Sequence, residues 1–372
     1  MNTKTYLITF TPHQLYFFGS EQNFGMGDDK NYFARSNYFP QQTTLLGALR
    51  YLLLAQNGFL VTGSSHGKLP AQNANGINVV DLIGQQSFHG IAQDFGQILQ
   101  LSPLFLCHQA QGVYLQAPIN HAHPLSRKRK NGISYLAGQT TEANWQLENE
   151  YDPKNGFSPL YLNNVGDTAC NSIFKEHFQV GIEKVVNAKS KKEKEEAFYK
   201  QVFYRLRADF SFGMYVEMKQ DFAYQFQDTH LHLGAEKCLF QVRIAEQRGK
   251  NFTQMSNELK DVLPNSKKCV DNHKRIVLLS PTFVDTNIYS YCDYAITETQ
   301  DFRFLKTNVQ QTQEYSNLST KGNVTKTLKS GKYQLLKAGS VLYPKAGHAS
   351  LLEVALNNAV WQKIGYNFFH YF

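Results

Sequence analysis

Several groupings of residues in this 372-residue chain could do chemistry. His13 follows a short apolar alternation and has Tyr16 and Lys30 close in sequence. An imidazole so placed could act as a general acid or base, or it could be a turn histidine satisfied by backbone. His121/His123 and His230/His232 are His-x-His pairs, which share a face when extended, as zinc or copper ligands do. Neither pair has a carboxylate or cysteine at a useful spacing, so no metal site and no cofactor is expected. Gly63-Ser-Ser-His-Gly-Lys-Leu imitates a phosphate loop, but it is one residue short between the glycines and lacks a hydroxyl after the lysine. Arg127, Lys128, Arg129 and Lys130 form the densest basic run. Such a run is either a solvated loop or a contact for a phosphate backbone.

The segment Ser-Asn-Tyr-Phe-Pro-Gln-Gln-Thr-Thr-Leu-Leu-Gly-Ala-Leu-Arg-Tyr-Leu-Leu-Leu, residues 36–54, is the most informative stretch. Pro40 closes an aromatic loop, and Thr43 or Thr44 offers a hydroxyl to the free amides of a helix start. Leu45, Leu46, Leu49, Leu52 and Leu53 recur at helical spacing and make one apolar stripe. Gly47 falls nearly opposite that stripe and Arg50 on its flank. A glycine on the outer face costs roughly 1 kcal/mol against alanine, so either something approaches closely there or the helix simply tolerates it. A phosphate at the helix start would suit the amides and the helix dipole.

Phe-Pro-x-x-Thr-Thr-Leu-Leu-Gly-Ala-Leu-Arg resembles the N-terminal motif of the RAMP proteins of CRISPR effector complexes. It is most similar to that of the third subunit of the Cmr, type III-B complex. The match is dense over about a dozen positions. Further along, Leu231-His-Leu-Gly-Ala-Glu resembles that family's Leu-Gly-Gly-Glu segment, with Ala235 in place of the second glycine. Ala338-Gly-Ser-Val-Leu-Tyr resembles its C-terminal strand entry. Lys363-Ile-Gly-Tyr-Asn stands where the family keeps a glycine-rich loop, but only Gly365 remains.

The elements that must position these residues follow from local pattern. Tyr6, Ile8 and Phe10 alternate as a first strand, and Phe210, Phe212, Met214, Val216 and Met218 share one face of another. Segments near 101–107 and 112–118 read as a hairpin. Leu239, Gln241 and Arg243 run along a strand, and Ile276 to Leu279 is a short buried one. Residues 184–204 mix Lys and Glu and read as an exposed loop and helix face.

Hydrophobic and aromatic contents of 42% and 13% indicate a folded protein rather than a disordered one. A net charge of +8 permits a nucleic-acid partner without requiring it. Five widely spaced cysteines with no Cys-x-x-Cys pair argue against a disulfide framework and for a reducing cytoplasm. The N-terminal residues lack the features of a signal peptide, and no run approaches the ~20 apolar residues of a membrane span. No membrane partner is expected.

The resemblance implies an α+β fold of tandem ferredoxin-like (RRM-like) domains with long loop insertions, 1–190 and 191–372. It implies a non-catalytic subunit that binds the 5′ handle of the guide RNA. That subunit would join a large polymerase-like Cmr subunit to the RAMP backbone subunits. Thr43, Thr44 and Arg50 would then meet phosphates beside Gly47, with Tyr38 or Phe39 stacking on a base. Gly339, Ser340 and Gly365 would let RNA approach the second domain, and Lys30, Arg35 and Arg127 to Lys130 would add electrostatic grip. Some RAMP relatives cut precursor RNA with a histidine and no metal, so the alternative is an endoribonuclease using His13.

Overall fold

A computed structural model describes residues 2–19, 32–60, 69–91, 93–121, 125–127, 145–147, 159–164, 166–183, 197–234, 236–263, 274–306 and 328–372. The chain is a mixed α+β structure, mostly strands with few helices. Four strands make the centre of its largest sheet: β1 (Thr3–Pro12), β2 (Phe105–His108), β3 (Phe210–Lys219) and β4 (Cys238–Glu246). They lie in the spatial order β4-β1-β3-β2, and every pairing is antiparallel. The hairpin expected after Leu101 is present, with β2 paired to Gly112–Gln116.

Helix α1 (Gln42–Gln56) packs on one face of this sheet. Its leucine stripe and the alternating Ile8, Phe10, Phe212, Met214, Val216 and Met218 are all within 2% of full burial, so both sequence patterns describe the same interface. Helix α2 (Phe252–Asp261) starts at a capping box between Asn251 and Gln254 and covers the opposite face through Phe252, Met255 and Leu259.

A second, smaller sheet repeats the pattern. It contains β5 (Ile276–Leu278), β6 (Cys292–Ile296), β7 (Val341–Pro344) and β8 (Phe369–Tyr371) in the order β8-β5-β7-β6, again antiparallel throughout. Helix α3 (Ala349–Leu356) covers one of its faces with Leu352 and Leu356, while Val277, Ile296 and Val341 on the other join the core beneath α2.

The expected division at residue 190 falls inside the first sheet, because β3 and β4 pair with β1 across it. The helix face expected within 184–204 is a correction: Ala197–Leu206 is a strand, paired along its length with Phe174–Glu183. Val202, Phe203 and Tyr204 are all buried, so packing on both faces overrides the helical charge pattern upstream. No described helix is long and apolar enough to cross a membrane.

Two glycines fix how the units meet. Gly339 has φ +81°, and a Cβ there would lie 2.6 Å from the carbonyl oxygen of Ala117, while its own carbonyl accepts from the Ile119 amide at 2.8 Å. Gly365 has φ +87°, and a Cβ would lie 2.3 Å from the Ser102 carbonyl oxygen. Replacing Gly365 with Ala should therefore cost roughly 2 kcal/mol or more. The midpoint of chemical denaturation measures this, and an unchanged midpoint would show that the joint is not tight.

Candidate nucleic-acid interface

Helix α1 begins at Gln41, which is extended and makes no side-chain cap. Thr43 and Thr44 therefore do not cap the helix, contrary to the expectation from sequence. The far end of the chain packs against this start. Tyr366 is 1% exposed, and the Gln42 and Thr43 amides lie close enough to its hydroxyl to favour the phenolate. Burial raises its pKa more than those neighbours lower it, so it stays a neutral phenol. The Thr44 and Leu45 amides donate to the Gln41 carbonyl. The Gln42 side-chain nitrogen donates to the carbonyls of Ser102 and Gly365 at 3.1 and 3.4 Å.

A groove of about 600 Å³ opens along the outer face of α1. Thr43, Thr44, Gly47 and Arg50 line one wall, and Arg303 and Lys329 line the other. Four residues singled out in the sequence thus come together with two cations that sequence reading missed. Among the described residues no acidic side chain lines the groove. Gly47 is exposed, and no described atom lies within 4 Å of where its Cβ would be. Among the described residues nothing requires a glycine there.

Arg50 has a second role. It is 8% exposed, and its Nε and Nη2 donate to the carbonyls of Ile83 and Gly84 at 2.9 and 3.3 Å. Burial lowers its pKa to about 10, which leaves it charged at neutral pH. It therefore braces the 79–84 segment while adding a positive charge to the groove wall.

The other nominated residues lie elsewhere. The Tyr38 ring packs 4.5 Å from Tyr204 and 4.9 Å from Phe174. Phe39 packs against Tyr161, Phe174 and Phe212. Both rings pack against the core and are partly buried. At Gly339 and Gly365 the close approach is made by this chain's own backbone, and Ser340 is fully buried. Arg35 stands on the strand Tyr32–Arg35, hydrogen-bonded to the Tyr204 hydroxyl at 3.2 Å and paired with Glu176. Lys30, Lys128, Arg129, Lys130 and the side chain of Arg127 lie outside the described residues.

His13 is exposed at the end of β1, with its ring stacked 5.1 Å from that of His230. His232 on the same strand as His230 bonds the Lys237 carbonyl at 2.6 Å, and His123 lies outside the described residues. Among the described residues, no group of three or more His, Cys, Asp or Glu side chains could hold a metal ion.

The family model for CRISPR-associated protein (Cas_Cmr3) matches residues 8–140 and 130–370. No curated protein matches the chain. Among solved structures, a chain of the cryo-EM structure of the type III-B Cmr-beta bound to cognate target RNA is 13% identical, with TM-score 0.46, covering 98% of this chain and 96% of that one. A chain of the same assembly with target RNA and AMPPnP, state 1, is 12% identical, with TM-score 0.45, covering 98% and 95%.

Tyr366→Phe removes a buried hydroxyl beside the start of α1 and leaves the ring in place. It should lower stability by about 1 kcal/mol, the usual worth of one buried polar contact. Denaturant titration reads the loss, and wild-type stability would show that the hydroxyl is dispensable.

Proposed function

The chain belongs to the Cas_Cmr3 family of CRISPR-associated proteins, and from that membership we propose that it is a non-catalytic subunit of a type III-B RNA-guided effector complex. In this reading it holds the 5′ handle of the guide RNA and joins the large polymerase-like subunit to the RAMP backbone subunits. The two sheets, each with the spatial order fourth-first-third-second, are read as tandem ferredoxin-like units. Each departs from the full pattern. A β-hairpin stands where the first unit would carry its second helix, and a 3-10 turn at Ile288–Tyr291 stands for the first helix of the second.

One observation carries the RNA assignment: the cation-lined groove runs past a helix glycine whose outer side is empty. An interior helix glycine is costly and here serves no contact among the described residues. Close approach of a ligand backbone would account for it. The buried Tyr366 packs by the amides of Gln42 and Thr43, so phosphates would be held by the Thr43 and Thr44 hydroxyls and by Arg50, Arg303 and Lys329 rather than by the helix start. Arg35, Lys30 and Arg127 to Lys130 would add longer-range attraction that salt weakens. Gly339, Ser340 and Gly365 would act indirectly, by fixing the width of the groove.

The test mixes a labelled guide RNA carrying its 5′ handle with the protein in EDTA, and splits the sample between native and denaturing gels. A shift that needs the handle, with the RNA intact, is expected. Shortened RNA would instead favour cleavage at His13, and His13→Ala should then abolish it. Gly47→Glu places a carboxylate in the groove while improving helix propensity. It should weaken binding at least ~10-fold without lowering the melting temperature. Lys329→Glu should weaken binding and flatten its salt dependence. Wild-type binding by both variants would remove RNA from this groove.

A further inference from the structure

We propose that Tyr51 is the base-stacking shelf of this interface, a refinement that rests on the RNA-binding reading of α1. The aromatic residues nominated by sequence, Tyr38 and Phe39, are partly buried and already packed against neighbouring rings. Tyr51 is 55% exposed and lies on the same helix as the groove residues. Thr44, Gly47 and Tyr51 are spaced by three and four positions, so they fall on one face of α1 within an arc of roughly 60°. All three are exposed.

Side chains on a helix lean toward its N-terminus, over the residue one turn earlier. That tendency directs the Tyr51 ring toward Gly47, at the margin of the groove rather than within its lining. The space over Gly47 is nevertheless open, since no side chain comes within 4 Å of its Cβ direction. The next residue along this face, Ala55, is too small to cover the ring from the other side. One face of the ring is thus accessible about 6 Å along the helix from Gly47. A strand whose phosphate sits among Arg50, Arg303 and Lys329 would bring an adjacent base over that ring.

The surroundings favour a nucleobase over a protein side chain. The two walls of the groove together carry three cations and, among the described residues, no acid, and the neighbours of Tyr51 on its own face are Thr44, Gly47 and Ala55 rather than an apolar patch. A protein anchor would be expected to sit among larger apolar residues that exclude water, whereas a lone exposed ring beside a cationic channel is the arrangement that holds single-stranded nucleic acid.

The test uses the full chain and guide RNAs bearing 2-aminopurine singly at each position of the 5′ handle, whose fluorescence is quenched on stacking. Wild type should quench strongly at one position. Tyr51→Ala should lose that quenching and bind ~10-fold more weakly with an unchanged melting temperature, and Tyr51→Trp should restore both. If Tyr51→Ala quenches and binds as wild type while Gly47→Glu does not bind, the shelf is overturned and the RNA groove stands. If both variants bind as wild type, both fall, and this face of α1 is left for a protein neighbour.

Discussion

The contact of the Gly365 turn with the start of α1 ties the molecule together. The buried Gln42 side chain donates to the carbonyls of both Ser102 and Gly365. Each such hydrogen bond is worth only about 1 kcal/mol net. Its position matters more than its strength, since a buried carbonyl without a partner would carry a desolvation cost. The Gly365 backbone presses on Ser102 and on the Gln42 side chain. One short turn from the second half thereby meets the helix of the first sheet.

That arrangement explains why the groove has two walls of different origin. Thr43, Thr44, Gly47 and Arg50 project from a helix packed on the first sheet, and Arg303 and Lys329 come from segments belonging to the second half. The two halves also meet tightly at Gly339 and Gly365, where a Cβ would lie 2.6 Å from the Ala117 carbonyl oxygen and 2.3 Å from that of Ser102. Arg50, half brace and half groove wall, links the inner packing to the outer charge.

Much of the framework was legible in the sequence because it rests on local periodicity. The leucines of α1 and the alternation in β1 and β3 specify buried faces by spacing alone, and the structure buries those side chains. The glycine on the outer face of α1 was legible for the same reason. What could not be read were relations between distant segments. Nothing near Gly365 marks its carbonyl as a partner for Gln42, and Arg303 has no local signature that separates it from any other arginine. Tyr38 and Phe39 have the composition of a stacking platform, but their rings turn inward onto Phe174 and Tyr204, which only tertiary packing decides. Ala197–Leu206 follows a run of Lys and Glu suited to a helix, yet pairing with Phe174–Glu183 made it a strand.

The long reach of these contacts also bears on how the chain matures during synthesis. Residues 42–56 leave the ribosome more than 300 positions before Gly365, so the helix must wait in a nascent chain without the turn that packs on its start. β1 likewise waits for β3 and β4, some 200 residues downstream, before its hydrogen bonds are complete. Contacts of such long sequence separation are slow to form. The groove would thus be among the last features to take shape, and a chain halted before Arg303 would present the α1 wall without its opposing half.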